Sequence, residues 1–238
     1  MNKEIIAIVP AAGLGTRFNA SVKKTFINLR GIPLFIQTLK RLSDEESITE
    51  IIPVLRGEDI DNGFQMFKEY NMKKIKRIAA GGKERQDSIY SALKLLEKNG
   101  TGADSIVLIH DGVRPFIPKG LIESLIAELK NADGVIPGIP LKETLKEAAA
   151  DGTVVSTMDR EKFWAVQTPQ AFFFRVIKKA YDTAYTESFY ATDDAALIER
   201  TGGRVKIIPG SAYNIKVTTP EDMEMLEWIL SSSNHSSG

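Results

Sequence analysis

The chain reads as an α/β protein with a mostly parallel sheet and helices on both faces. Three observations predict it. Short apolar runs rich in isoleucine and valine alternate with segments of helical period along most of the sequence. The first run, residues 5–9, is uncharged and stops at Pro10, as a strand buried on both faces does. Polar or glycine-containing segments follow several runs directly, and in open parallel sheets ligands bind at the carboxyl ends of the strands.

In chain order, strands are expected at residues 4–10, 50–55, 74–79, 105–109, 134–139 and 204–208. Helices are expected between them at 34–42, 62–70, 85–97 and 119–129. The stretch 140–163 breaks the alternation. Asp151-Gly152 lies between Thr144 and the run Thr153-Val-Val-Ser-Thr157, which reads as a hairpin turn. A two-stranded arm is marginal in water by itself, so it is expected to pack on a partner chain. Further helices are expected at 175–185, 194–200 and 220–230, the last with Pro220 in its first turn. Lys216 falls in a short strand-like run where lysine is disfavoured, so its side chain should face a polar cleft. Residues 1–230 are thus expected to form one domain, with the serine-rich residues 231–238 as a disordered tail.

Composition narrows the function classes. With 43% hydrophobic and 26% charged residues in 238, the chain has material for a full core. Thirty-one basic residues balance thirty-one acidic ones, so no global field draws in nucleic acid or an anionic membrane. The absence of cysteine excludes disulfides, thiolate metal sites and a cysteine nucleophile. The apolar runs are too short to span a bilayer and no signal-peptide pattern opens the sequence, which makes a cytoplasmic location the default.

Candidate chemistry gathers behind the strands. Gly13 and Gly15 let backbone N–H groups approach a ligand closely, and Arg17 and Lys24 just beyond them suit a polyphosphate. Neither a dinucleotide fingerprint nor a P-loop fits. The third glycine of the former would fall at Phe18, and no Gly-x-x-x-x-Gly-Lys-Ser/Thr occurs. A tight turn with a solvated basic loop stays open here as the structural alternative. Gly81-Gly-Lys-Glu-Arg-Gln-Asp-Ser88 places Arg85 and Ser88 one helical turn apart, as an anion or base-edge site or as a plain helix start with Glu84 near the dipole. Asp111 stands at a strand end, where a carboxylate meets a Mg²⁺-bound phosphate or a sugar hydroxyl; Arg114 is a ligand contact or an ion-pair partner. His110, the one histidine outside the tail, reads as a hydrogen-bonded core residue. Phe163 and Trp164 read as core anchors, Arg160 and Thr168 have no evident structural task, and Thr192 reads as a helix N-cap.

Taken together, Pro10-Ala-Ala-Gly-Leu-Gly-Thr-Arg17 with the following lysine, Gly82-Lys-Glu-Arg-Gln-Asp-Ser88, His110-Asp-Gly-Val-Arg-Pro115, Thr168-Pro-Gln170 and Asn214-Ile-Lys-Val-Thr218 resemble the 2-C-methyl-D-erythritol 4-phosphate cytidylyltransferases of the non-mevalonate isoprenoid pathway. The resemblance runs from residue 5 to about 230 in family order. It implies a Rossmann-like nucleotidyltransferase domain with a protruding β-arm for dimerisation. The implied reaction joins CTP to a sugar-alcohol phosphate and releases pyrophosphate, with Mg²⁺ or another divalent cation. By the same resemblance Arg17 and Lys24 stabilise the triphosphate and the transition state, and Lys216 holds the α-phosphate and the attacking phosphate. Pro10, Ala11, Ala12, Gly13, Gly15, Gly82 and Ser88 border CTP, supported by Arg85, and Asp111 meets substrate hydroxyls or lies by the metal. Thr168 and Thr192 seat the polyol, while Thr144 and Arg160 on the arm reach the neighbouring subunit's site.

The chain departs from the family pattern in places. Gly112 stands where alanine is usual, which should only loosen the turn; Glu143 is one methylene longer than the usual aspartate; Lys83 replaces an acidic residue and keeps a main-chain role alone. Lys24 is assigned from its register with Phe26, with Lys23 as its substitute. A ribitol 5-phosphate cytidylyltransferase and a non-catalytic nucleotide-binding regulatory module are the alternative readings. Four charged groups retained together, Arg17, Lys24, Asp111 and Lys216, argue for an enzyme.

Overall fold

The computed structural model describes residues 4–11 and 28–233. Strand β1, Ile5–Pro10, sets the plan of the molecule. Its side chains alternate between faces: Ile6 and Ile8 join one apolar cluster, Ala7 and Val9 the other, and all four are buried. Full burial of one such isoleucine is worth about 1.5–3 kcal/mol.

A small hairpin, β2 (Asn28–Leu29) and β3 (Ile32–Pro33), leads into α1 (Leu34–Ser43). Next come β4 (Glu50–Leu55), α2 (Ile60–Glu69), β5 (Ala79–Ala80), α3 (Arg85–Lys98), β6 (Ile106–Ile109), α4 (Leu121–Glu128) and β7 (Gly134–Pro140). The arm carries β8 (Lys146–Ala148) and β9 (Val154–Thr157). The chain returns through β10 (Trp164–Val166), β11 (Gln170–Phe173), α5 (Phe174–Thr186), α6 (Asp194–Arg200), β12 (Val205–Pro209) and α7 (Pro220–Ser233).

Strands β6, β1, β4 and β5 pair in parallel. Strand β11 inserts antiparallel between β6 and β7, while β12 pairs in parallel and β10 antiparallel with β7. Helices α3, α5 and α6 cover one face; α1, α2 and α4 cover the other. The α/β class with a mostly parallel sheet and helices on both faces is therefore as the sequence predicts.

Four local expectations are corrected. Of the strand expected at 74–79 only Ala79 enters a strand, joined by Ala80; upstream the Lys74 carbonyl accepts from β4, at Ile51 N, and the charged side chains are bonded elsewhere. Lys74 Nζ donates to the Glu45 carbonyl at 2.6 Å, and Arg77 holds Glu50 bidentately at 2.8 and 2.7 Å. Trp164 is no core anchor: it pairs on β10 but stays 37% exposed. Lys216 lies in an irregular loop rather than a strand. Helix α7 runs on to Ser233, three residues into the expected tail.

The arm forms as expected. Gly152 takes φ +86° in the turn, a value that an L-side chain adopts only with strain, and β8 pairs antiparallel with β9. Among the described residues no helix is long and apolar enough to cross a membrane.

Candidate active site

The site is assembled at the carboxyl edge of the parallel strands. Ala11 N donates to the Val54 carbonyl and His110 N to the Ile8 carbonyl, so the chain leaves β1 and β6 side by side. Asp111 follows at once, its side chain 8% exposed. Its Oδ2 lies 3.1 Å from Arg114 Nε and 3.1 Å from Lys216 Nζ, and its Oδ1 lies 3.6 Å from Arg85 Nε. Burial alone would raise the Asp111 pKa; Arg85, Lys216 and Arg114 outweigh it and hold the carboxyl well below the usual carboxylate range.

Each cation is placed by a different element. Arg85 opens α3, whose N-terminus is fixed by a capping box: Glu84 N donates to Asp87 Oδ2 at 2.9 Å, and the Glu84 side chain accepts in return. Its guanidinium grips Asp194 bidentately at 3.1 and 2.7 Å. Asp194 is fully buried at the start of α6 and also accepts from Tyr181 Oη at 2.5 Å. Burial opposes the Arg85 charge, but Asp194 and Asp111 more than offset it and raise its pKa further. Arg114 Nη1 donates to the Asn214 carbonyl at 2.7 Å, which ties the 211–219 loop to the end of β6. That loop carries Lys216, whose side chain stays 42% exposed and can face a ligand while paired to Asp111.

Beneath the carboxylate lies a buried polar layer. Asp111 N donates to Thr168 Oγ1 at 3.0 Å, and His110 Nδ1 lies 3.1 Å from the same oxygen. His110 Nε2 lies 2.9 Å from the Arg114 carbonyl, and Asn214 Nδ2 donates to the Thr168 carbonyl at 2.8 Å. Gln167 Nε2 donates to the Ser211 carbonyl at 2.7 Å, and its Oε1 accepts from Ser211 N at 3.1 Å. His110 is thus the hydrogen-bonded core residue expected, and burial lowers its pKa to about 4.

The structure brings Arg85, Asp111, Thr168 and Lys216 into one cluster, with Pro10 and Ala11 at the adjoining strand end. Gly82 and Ser88 belong to the turn that carries Arg85: Gly82 N donates to Ser88 Oγ at 3.2 Å, and that hydroxyl donates to the Glu84 carbonyl at 3.1 Å. Ala12, Gly13, Gly15, Arg17 and Lys24 lie outside the described residues. Thr192 is exposed and is not the N-cap of α6. Asp193 takes that place, accepting from Ala196 N at 3.1 Å, and also binds Gln170 Nε2 at 2.9 Å. Thr144 and Arg160 are exposed on the arm, where Arg160 Nη1 donates to the Lys142 carbonyl at 2.7 Å.

Gly112 does more than loosen a turn. A Cβ there would stand 2.8 Å from the buried Phe35 ring and 3.1 Å from the Pro10 carbonyl. Sequence reasoning also missed Asp194, Tyr181 and Gln86. Gln86 donates to the Phe189 carbonyl and accepts from Ala191 N, both at 2.9 Å, joining the start of α3 to the segment before Thr192. The signal for Asp194 was present: two adjacent aspartates open a helix that needs one cap.

As a metal centre the cluster is a poor fit. Asp111 is already ringed by cations, and among the described residues no three His, Cys, Asp or Glu side chains converge to hold an ion. What converges instead is a set of positive groups, Arg85, Arg114 and Lys216, around one carboxylate, an arrangement that suits an anionic ligand.

Comparison with known proteins agrees with that geometry. A family model described as 2-C-methyl-D-erythritol 4-phosphate cytidylyltransferase matches residues 5–232. The protein of that name from Syntrophus aciditrophicus is 41% identical over 234 residues, 97% of each chain. The one from Clostridioides difficile is 43% identical over 228 residues, 94% of this chain and 92% of the other. The crystal structure of a 4-diphosphocytidyl-2C-methyl-D-erythritol synthase from Anaerococcus prevotii superposes with a TM-score of 0.82 at 32% identity, covering 96% of each chain. With a family match across nearly its whole length and relatives this similar over the same span, the chain belongs to the 2-C-methyl-D-erythritol 4-phosphate cytidylyltransferase family.

Proposed function

We propose that the chain transfers the cytidylyl group of CTP to 2-C-methyl-D-erythritol 4-phosphate, giving 4-diphosphocytidyl-2-C-methyl-D-erythritol and pyrophosphate. The observation that carries this reading is the cluster of Arg85, Arg114 and Lys216 around Asp111 at the sheet's carboxyl edge. A phosphate oxygen of the polyol attacks the α-phosphorus of CTP as the bond to the bridging oxygen of pyrophosphate breaks. Such a step needs positioning and neutralisation of charge rather than a protein nucleophile.

In this reading Lys216, half-exposed above Asp111, leans toward the attacking phosphate and the α-phosphate. Arg17 and Lys24 neutralise the triphosphate. Asp111 and Thr168 face polyol hydroxyls, with Thr192 nearby, and the Gly82–Ser88 loop borders the cytosine. A divalent cation would be held mainly by the CTP phosphates, since Asp111 already has its cations, and would supply further charge neutralisation. The arm completes the partner's site in a homodimer, with Arg160 and Thr144 on the substrate phosphate. Val154 and Val155, 55% and 62% exposed, favour such a packed partner. The enzyme acts in the cytoplasm.

The test is pyrophosphate release by purified protein with CTP and Mg²⁺, offered each polyol phosphate in turn. Methylerythritol phosphate should support turnover and ribitol 5-phosphate little or none. Equal or faster turnover of the ribitol compound would overturn the substrate assignment, and CTP binding with no turnover of either would favour a regulatory module.

A further inference from the structure

We propose that His110 is a positioning residue that fixes the direction of the Thr168 hydroxyl, so that Thr168 offers a ligand only a lone pair and meets a hydroxyl of the polyol, never a phosphate oxygen. The ligand half of this statement rests on the function proposed above; the hydroxyl's direction does not.

The hydrogen-bond partners force the direction. The Arg114 carbonyl, 2.9 Å from His110 Nε2, can only accept, so Nε2 carries a hydrogen. The ring is fully buried, and burial keeps it neutral down to a pKa of about 4. A neutral ring with its hydrogen on Nε2 has a bare Nδ1, which can only accept. The Thr168 hydroxyl, 3.1 Å away, is the donor it meets. Thr168 Oγ1 already accepts from Asp111 N at 3.0 Å, so one lone pair is left and no hydrogen. A phosphate oxygen needs a donor and would find none here; a polyol hydroxyl can donate to that lone pair. The same bonds lock the backbone of Asp111, so the ring sets both polyol-facing groups without touching the ligand.

The test joins a spectroscopic and a kinetic measurement on the full-length enzyme. In protein labelled with ¹⁵N-histidine, only His110 and His235 contribute, and His110 should show a protonated Nε2 and a bare Nδ1 at pH 7. A hydrogen on Nδ1 would overturn the proposal whatever the activity.

For the kinetics, wild type and Thr168→Val are each assayed with the full polyol phosphate and with its mono-deoxy analogues. Wild type should lose roughly tenfold in kcat/KM on one analogue. Thr168→Val should lose about as much on the full substrate and nothing further on that analogue, with KM for CTP unchanged. His110→Gln, which keeps a donor for the Arg114 carbonyl but places no acceptor at the position of Nδ1, should lose the same discrimination. Independent penalties on every analogue, or a His110→Gln enzyme that discriminates as wild type does, would defeat the proposal. A wild type inactive on every polyol phosphate, with the Nε2 tautomer in place, would break the functional reading and leave the hydroxyl's direction standing.

Discussion

Asp111, Thr168, Asn214 and Asp194 are buried, and their bonds join β6, α3, α6 and the 211–219 loop; Val154, Val155 and all of β8 stand exposed on an arm whose hydrogen bonds stay within itself. The cluster holds most of the family-like motif blocks and the arm only the matched positions Thr144 and Arg160, and the two regions are held by different physics. In the cluster Asp111, Asp194, Thr168 and Asn214 are desolvated, so their partners are needed and the geometry is fixed before a ligand arrives. On the arm, among the described residues, the backbone pairs while Val154 and Val155 stay exposed, and the surface proposed to cover them is another subunit's. Substitutions in the cluster should therefore register as lost stability, and substitutions on the arm as lost activity in a stable protein.

The sharpest contrast comes from Asp194→Ala. It strips the buried partner from Arg85 and leaves the Tyr181 hydroxyl unpaired. Arg85 keeps some solvent and the nearby Asp111, so the cost should sit at the low end for a broken buried pair, about 3 kcal/mol in urea unfolding. A loss below about 1 kcal/mol would mean that the cluster is as loosely held as the arm.

Acid should act on the cluster next. The folded pKa of His110 is about 4 against an ordinary 6.5, so between those values the unfolded chain binds a proton that the folded one refuses. Stability contributed by the neutral ring is complete above pH 6.5, declines as pH falls through the window and levels off near pH 4, a total of about 3 kcal/mol. Asp111, held below the ordinary 3.8, adds its own loss only at lower pH. Urea midpoints of wild type and His110→Asn across the window should converge toward acid. Parallel curves would show that the ring is not held neutral.

How much of this was legible differs by region. The sheet and most helices followed from periodicity, since Ile6/Ile8 against Ala7/Val9 already encodes two covered faces. Strands β10 and β11 were not read, because the polar Gln167-Thr168 segment interrupts the run and disguises the apolar Ala171-Phe-Phe-Phe174 that follows. The candidate site was legible as motifs but not as a network. Nothing in a linear reading says that Arg85 turns mainly to Asp194, 109 positions away, or that Gly112 packs closely against the Phe35 ring. The arm was legible from a two-residue turn signal, Asp151-Gly152, because hairpins are local.

The claim that the arm serves the other subunit is tested most directly by complementation. Lys216→Ala and Arg160→Ala proteins should each be nearly inactive, about a hundredfold down in kcat, and Arg160→Ala should unfold within about 0.5 kcal/mol of wild type. In a heterodimer of the two, one site carries both lesions and the other carries neither. After unfolding and refolding an equal mixture, random pairing should restore about a quarter of wild-type activity. A mixture that stays as inactive as its parents, with subunit exchange verified, would place Arg160 in its own subunit's site and contradict the account.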